Sequence, residues 1–263
     1  MSNIKKILVP FDYSEPAINA LDYALNFAGY QRPIEVVALQ VTQKEMKDSE
    51  KVEANEEFKK IVKSLNKRTH KPPRLVLLSG DLIDTILKAQ NDQKIELTIM
   101  GTMGDSQANE ALTNASRLVL EAKGPVITVP YGCEITLPKQ ISLVLGKEEI
   151  ERPKVLSTLL DIARMFNAKV HVLTIYKESI YKEEAVVESN EDTLEYYLEH
   201  FYAEHNFSKN EDIEKGILDY INDKGIELLA ILPRNHAQKT KASEGRLTKL
   251  LTLHSTVPVL TLD

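Results

Sequence analysis

The chain has 263 residues and a formal net charge of -6, with 33 Lys and Arg against 39 Asp and Glu. That balance argues against general nucleic-acid binding, which needs many cationic contacts to phosphate, and no stretch approaches the roughly 18 to 20 apolar residues of a membrane span. The single cysteine, Cys133, excludes an intramolecular disulfide and a thiolate metal cluster, and it fits a reducing cytoplasm.

The N-terminus, MSNIKKILVPFDYS, lacks the apolar core of a signal peptide and runs straight into a strand over residues 4–9, stopped by Pro10. The following SEPAINALDYALNFAG reads as a helix with Ser14 as N-cap, Pro16 in the first turn and Gly29 just past the end. Ala17, Ala20, Leu21, Ala24, Leu25 and Ala28 keep the three-four spacing of one buried face. IEVVALQV is a second strand. Residues 44–68 read as a long polar helix with Val52, Phe58, Ile61, Val62 and Leu65 on its apolar side. RLVLLSG, DLIDTILKAQND, IELTIMG, TNASRLVLEAKG and PVITVP continue as strand, helix, strand, helix and strand. Near-continuous apolar strands alternating with helices indicate a parallel sheet covered on both faces.

The pattern then restarts. ISLVLG is a strand, RPKVLSTLLDIARMFNA a helix and KVHVLTIY a strand. A charged, aromatic-dotted helical stretch is expected over residues 190–205. NEDIEKGILDYINDKG, IELLAILP, GRLTKLLTLHS and VPVLTL complete the set as helix, strand, helix and strand. GPVITV and VPVLTL match as closing strands, and IELTIM matches IELLAIL, at an offset of about 133 residues. Each half is large enough for its own core, and the seam is YGCEITLPKQ.

In an open α/β sheet, ligands settle beyond the carboxyl ends of the strands, where strand order reverses. The first and fourth strands should flank that point. The first ends VPFDYS, with Asp12 and Ser14; the fourth ends GTMG, with Gly101 and Gly104. Glycine permits positive φ and lets a ligand approach backbone N–H groups. The helix beginning near Leu112 offers free donors and a positive dipole end. Asp12 repels phosphate and suits an adenine amino group or ribose hydroxyls. The residues therefore point to a nucleotide, with Asp12 toward base or sugar and the glycines toward phosphate. The structural alternative is a plain turn at G-x-x-G, with Asp12 and Ser14 serving as cap residues.

These motifs resemble the universal stress protein family, in a tandem two-domain form. Val9, Asp12 and Ser14 match its V-x-x-D-x-S strand end; LQV with Val41 matches the end of its second strand; ELTIMGTMG and GPVITV match its fourth and last strands. The resemblance implies an α/β fold of two tandem, doubly wound, five-stranded parallel-sheet domains, adenine nucleotide alpha-hydrolase-like, order 3-2-1-4-5. The domains would be residues 1–132 and 139–263, the second degenerate. ATP, ADP or AMP would sit at Val9, Pro10, Asp12, Ser14, Val41, Met100, Gly101, Gly104, Thr113 and Asn114, with the Val41 backbone at adenine.

The sequence departs from the family's G-x2-G-x9-G-S/T pattern. Counting back from Pro125 puts Leu112 and Thr113 at the second Gly-Ser pair; counting forward from Gly104 puts Asn114 and Ala115 there. The loop DSQANEA is also about two residues short. Family members commonly pair through their fifth strands, so residues 126–129 are expected against 259–262. That makes an intramolecular pseudo-dimer, with further dimerisation optional.

In the second half, Lys147 and Glu148 fall near the expected Asp, and no G-x-x-G follows IELLAILP. Gly245 survives, with Arg246 where the family has Ser or Thr. That half reads as a structural partner. Arg234, His236, Lys239, Lys241, Arg246 and Lys249 form a basic cluster, read as a solvated loop with an anion site as the alternative. His200 and His205 lack an H-E-x-x-H frame, so no metal is indicated. Tyr197, Phe201 and His205 stand at helical spacing and read as packing. No catalytic residue stands out: G-x-S-x-G is missing and Ser14 has no evident His–Asp partner. The expected function is a cytoplasmic stress-response protein, binding ATP or a related adenine nucleotide in its first domain without efficient turnover, with unknown protein partners. The alternative is a scaffold that binds no nucleotide.

Overall fold

The computed structural model describes residues 3–104, 113–146, 150, 153–177, 184–232 and 245–262. In chain order the first half runs β1 (Lys6–Pro10), α1 (Glu15–Ala28), β2 (Glu35–Thr42), α2 (Asp48–Leu65), β3 (Arg74–Ser79), α3 (Leu82–Asp92), β4 (Leu97–Thr102), α4 (Asn114–Glu121) and β5 (Val126–Pro130). The second half runs β6 (Gln140–Val144), α5 (Ser157–Phe166), β7 (Lys169–Tyr176), α6 (Glu184–Leu198), β8 (Tyr202–Lys209), α7 (Ile213–Lys224), β9 (Leu228–Ile231), α8 (Arg246–His254) and β10 (Val259–Thr261).

One ten-stranded sheet unites them, in the order β3-β2-β1-β4-β5-β10-β9-β6-β7-β8. The first five strands follow 3-2-1-4-5, and the second five repeat that order in mirror sense. All neighbours are parallel except at the centre, where β5 and β10 run antiparallel with Thr128 opposite Val259, Ile127 opposite Leu260 and Val126 opposite Thr261. The two fifth strands thus pair as expected, over 126–128 and 259–261.

Burial follows the strand sequences. β5 (VITVP) and β9 (LLAI) are buried at every position, as central strands covered on both faces must be. On one face the core is continuous across both halves, joining Ala20, Leu21 and Phe27 of α1 to Leu159, Ile162 and Phe166 of α5. On the other face there are two clusters, one under α3 and α4 and one under α7 and α8. Arg32 fastens the halves on the continuous side. Its guanidinium donates to the carbonyls of Phe27, Ala28 and Met165 and lies 4.6 Å over the Phe166 ring, so it caps α1 and α5 together.

The repeated Ile-Glu-Leu has a local cause. Glu96 accepts from the backbone N–H groups of Lys5 and Lys6 at 3.2 and 2.7 Å. Glu227 accepts from those of Lys139 and Gln140. Each carboxylate ties the start of one strand to its neighbour in the sheet.

Two expectations need correction. Val52 is 59% exposed, whereas Phe58 is buried as expected, with Ala54 beside it, and Ile61, Val62 and Leu65 pack partly buried against the core. The helical stretch expected over 190–205 ends earlier: α6 stops at Leu198, a 3-10 turn covers Glu199–Phe201, and Tyr202 opens β8. The four-residue spacing of Tyr197, Phe201 and His205 crosses a helix–strand junction. β8 pairs with β7 alone and carries the polar alternation Glu204, Asn206, Ser208. An edge strand of that kind has no apolar run to announce it.

Candidate functional site

β1 delivers the chain to the switch point between β1 and β4, and Phe11 extends the pairing by donating its N–H to the Leu39 carbonyl at 2.8 Å. Tyr13 then takes the left-handed conformation at φ 65°, unusual for a residue with a large side chain. Packing holds it there. The Tyr13 hydroxyl donates to the Ala54 carbonyl at 2.7 Å, and its ring meets Phe11 edge-on at 4.9 Å. Burial, with Glu57 adding to it, pushes the Tyr13 phenol up from its ordinary value.

The neighbours of Tyr13 are free to line a pocket. Asp12 Oδ1 accepts from both the backbone N–H and the hydroxyl of Ser14. Ser14 Oγ in turn caps α1 by accepting from Ala17 N at 3.4 Å. From β2 come Leu39, Val41 and Gln43. From the β3–α3 turn come Gly80, Asp81 and Leu82, and Asp81 Oδ1 caps α3 by accepting from the N–H groups of Ile83 and Asp84. Met100 and Gly101 of β4 and Asn114 of α4 close the far side. The cleft they line measures about 390 Å³.

Of the residues expected from sequence, Pro10, Asp12, Ser14, Val41, Met100, Gly101 and Asn114 meet at this cavity. Val9, Gly104 and Thr113 do not line it. Val9 is fully buried in the core, and Thr113 caps α4 by accepting from Ser116 N at 3.1 Å. Gly104 has φ +64°, the conformation that favours glycine, and lies near the Leu253 carbonyl of α8.

Gly101 is not an open backbone position. A Cβ there would stand 2.1 Å from the Pro16 carbonyl oxygen, so its missing side chain makes room for the first turn of α1. Sequence reasoning did not pick out Phe11, Pro16, Ala17, Leu39, Gln43, Gly80, Asp81 or Leu82 as lining. The Gly80–Asp81 pair after the third strand was the available signal. Among the described lining residues, Asp12 and Asp81 are the charged groups, both acidic.

In the second half, Lys147, Glu148 and the cluster members Arg234, His236, Lys239 and Lys241 lie outside the described residues. So do Leu112 and the loop 105–111. Gly245 is described: its φ is +67°, and a Cβ would stand 2.3 Å from Leu120 Cδ2, so it receives the side chain of α4 from the other half. His205 Nε2 lies 2.9 Å from Thr174 Oγ1, with the ring stacked on Phe207. Among the described residues no group of three or more His, Cys, Asp and Glu side chains is placed to hold a metal, and no helix is long and apolar enough to cross a membrane.

No curated protein sequence matches the chain. Among solved structures, a universal stress protein from Archaeoglobus fulgidus DSM 4304 is similar at 16% identity, covering 98% of each chain with a TM-score of 0.73. A putative universal stress protein from Pseudomonas aeruginosa UCBPP-PA14 is similar at 13% identity, covering 99% of this chain and 93% of that one, with a TM-score of 0.62. A universal stress protein from Archaeoglobus fulgidus in complex with dAMP matches at 13% identity over 49% of this chain and 100% of that one, with a TM-score of 0.35. The model of the universal stress protein family matches residues 3–130. Residues 3–130, the first half of the chain, are thus a domain of the universal stress protein family.

Proposed function

We propose that the first half, residues 1–132, binds an adenine nucleotide or a related adenine compound, and that the protein acts as a cytoplasmic stress-response module without efficient turnover. Residues 139–263 serve as its structural partner. The supporting observation is the convergence of Asp12, Ser14, Val41, Met100 and Asn114 on one cavity at the carboxyl ends of β1, β2 and β4. Asp12 would receive a base amino group or a ribose hydroxyl. Efficient phosphoryl transfer is disfavoured because no Lys or Arg is among the described lining residues to stabilise the transferring group.

The scaffold reading draws on a different observation. Gly101 and Gly104 both have packing neighbours, Pro16 and Leu253, that account for them without a ligand.

Mass spectrometry of the denatured, purified protein tests for a carried-over adenine compound, and calorimetry tests for its uptake. Asp12→Ala should lower affinity by about 1–3 kcal/mol, the range for a lost charged hydrogen-bond partner. A folded protein that carries and binds no adenine compound would leave the scaffold.

A further inference from the structure

The two outer strands of the ten-stranded sheet are unlike. β8 is polar along its length, as a solvated edge should be. β3 at the other end reads Arg-Leu-Val-Leu-Leu-Ser, and among the described residues it pairs with β2 alone. Leu75, Val76 and Leu77 are partly buried, and Leu78 is 39% exposed.

The direction of its backbone groups follows from two bonds. Gly80 N donates to the Thr42 carbonyl at 2.9 Å, and the Leu78 carbonyl accepts from Thr42 Oγ1 at 3.4 Å. In a parallel ladder alternate residues aim both backbone groups at the same neighbour. Val76 and Leu78 therefore turn theirs toward β2, while Leu75, Leu77 and Ser79 turn theirs to the open edge. Pro72 and Pro73 lie just outside the strand and leave those three positions able to pair. A cleft of about 170 Å³ runs beside the strand, lined in part by Met46, Lys51, Leu77 and Ser79.

Charge is divided along the same edge. The entry, residues 66–74, reads NKRTHKPPR and holds no acid. Lys67 and Arg74 are paired with Asp22 and Glu35, and Arg68 and Lys71 are exposed. The exit, residues 79–84, reads SGDLID and holds no Lys or Arg, with Asp81 and Asp84 exposed. An antiparallel copy of the strand would lay each basic entry beside an acidic exit, whereas a parallel copy would set like charges together.

We propose that β3 is a self-association edge: a second copy of this chain adds its own β3 antiparallel, across a two-fold axis at Leu77. Matching the outward groups puts Leu77 opposite Leu77 of the second copy and Leu75 opposite Ser79, beside the cleft. On the other face Leu78 lies against Val76. Both copies use the same surface, so the contact closes at a dimer.

Sedimentation of the full-length protein over a range of concentrations, at low ionic strength, tests this. The mass should rise from monomer to dimer and stop there. A chain that stays monomeric overturns the proposal, and so does growth beyond the dimer, which a two-fold contact does not allow. Leu78→Lys, checked by circular dichroism for an unchanged fold, should weaken the dimer about ten-fold or more. Two exposed charges supply an independent test. Lys71→Glu and Asp84→Lys should each weaken self-association about three-fold or more, because each sets like charges together at both ends of the joint. An equimolar mixture of these two variants restores opposite charges at both ends, so it should dimerise about as the wild type does. A dimer indifferent to these changes, or a mixture no tighter than its components, overturns the antiparallel β3 joint.

Discussion

Gly101 sits with its Cα against the first turn of α1, and that contact sets what the residue is for. A methyl group would meet the Pro16 carbonyl oxygen at 2.1 Å and its carbon at 2.5 Å, both backbone atoms that cannot swing aside. Gly101→Ala should therefore push α1 off β4 and cost about 1–3 kcal/mol, as overpacking does. Urea denaturation checks it, and wild-type stability in the variant would mean that α1 is not seated on β4 as described. Asp12 and Ser14 were legible in the sequence because their positions follow from one strand end and one helix start. The role of Gly101 was not, since its neighbour Pro16 lies far away in the chain. Asp81 escaped notice for a similar reason: β3 is the outer strand of its half, and only the fold brings its exit to the cavity.

Among elements, β8 shows how an edge strand is held by side chains in place of a second neighbour. It pairs with β7 only, and His205 adds a side-chain tie by sharing a hydrogen with Thr174 Oγ1 across the β7–β8 ladder. Among the described residues His205 Nδ1 has no hydrogen-bond partner, and it stands 3.9 Å from Glu191 Oε1 of α6. Burial lowers the imidazole from its ordinary 6.5 to about 4. The unfolded chain therefore binds the extra proton more readily between those values, and stability falls as pH drops from about 6.5 toward 4. The loss due to this residue should be on the order of 1 kcal/mol at acid pH, allowing for solvent screening near the sheet edge. Urea midpoints of the wild type and His205→Gln at neutral and acid pH test this. The wild type should lose more on acidification, and equal losses would remove His205 as the cause. Strands with continuous apolar runs were legible from sequence, whereas β8 was hidden by its polar alternation and by the aromatic spacing that runs into it from α6.

At the scale of the molecule, the antiparallel joint between β5 and β10 turns two similar halves into one sheet. Both strands are buried throughout, and each is the last strand of its half. The duplication and the pairing of the fifth strands were legible because GPVITV and VPVLTL recur at the chain's matching positions. The mutual insertion of the halves was not: Gly245 of the second half receives Leu120 of the first, and Arg32 of the first caps α5 of the second. Such contacts join positions that no local pattern relates. An apolar strand deprived of its neighbour is an open template for pairing, and tethering in one chain keeps the neighbour at high effective concentration. Truncation after Pro130 removes that neighbour and uncovers β5, with Val126, Ile127, Thr128 and Val129 on a free edge. The fragment should recover the joint by pairing β5 with β5 of a second copy, giving a homodimer or, at higher concentration, aggregates. Sedimentation over a range of concentrations reads this directly. A folded fragment that stays monomeric would mean that the β5 edge is protected by its own half and that the central joint contributes little to holding the sheet together.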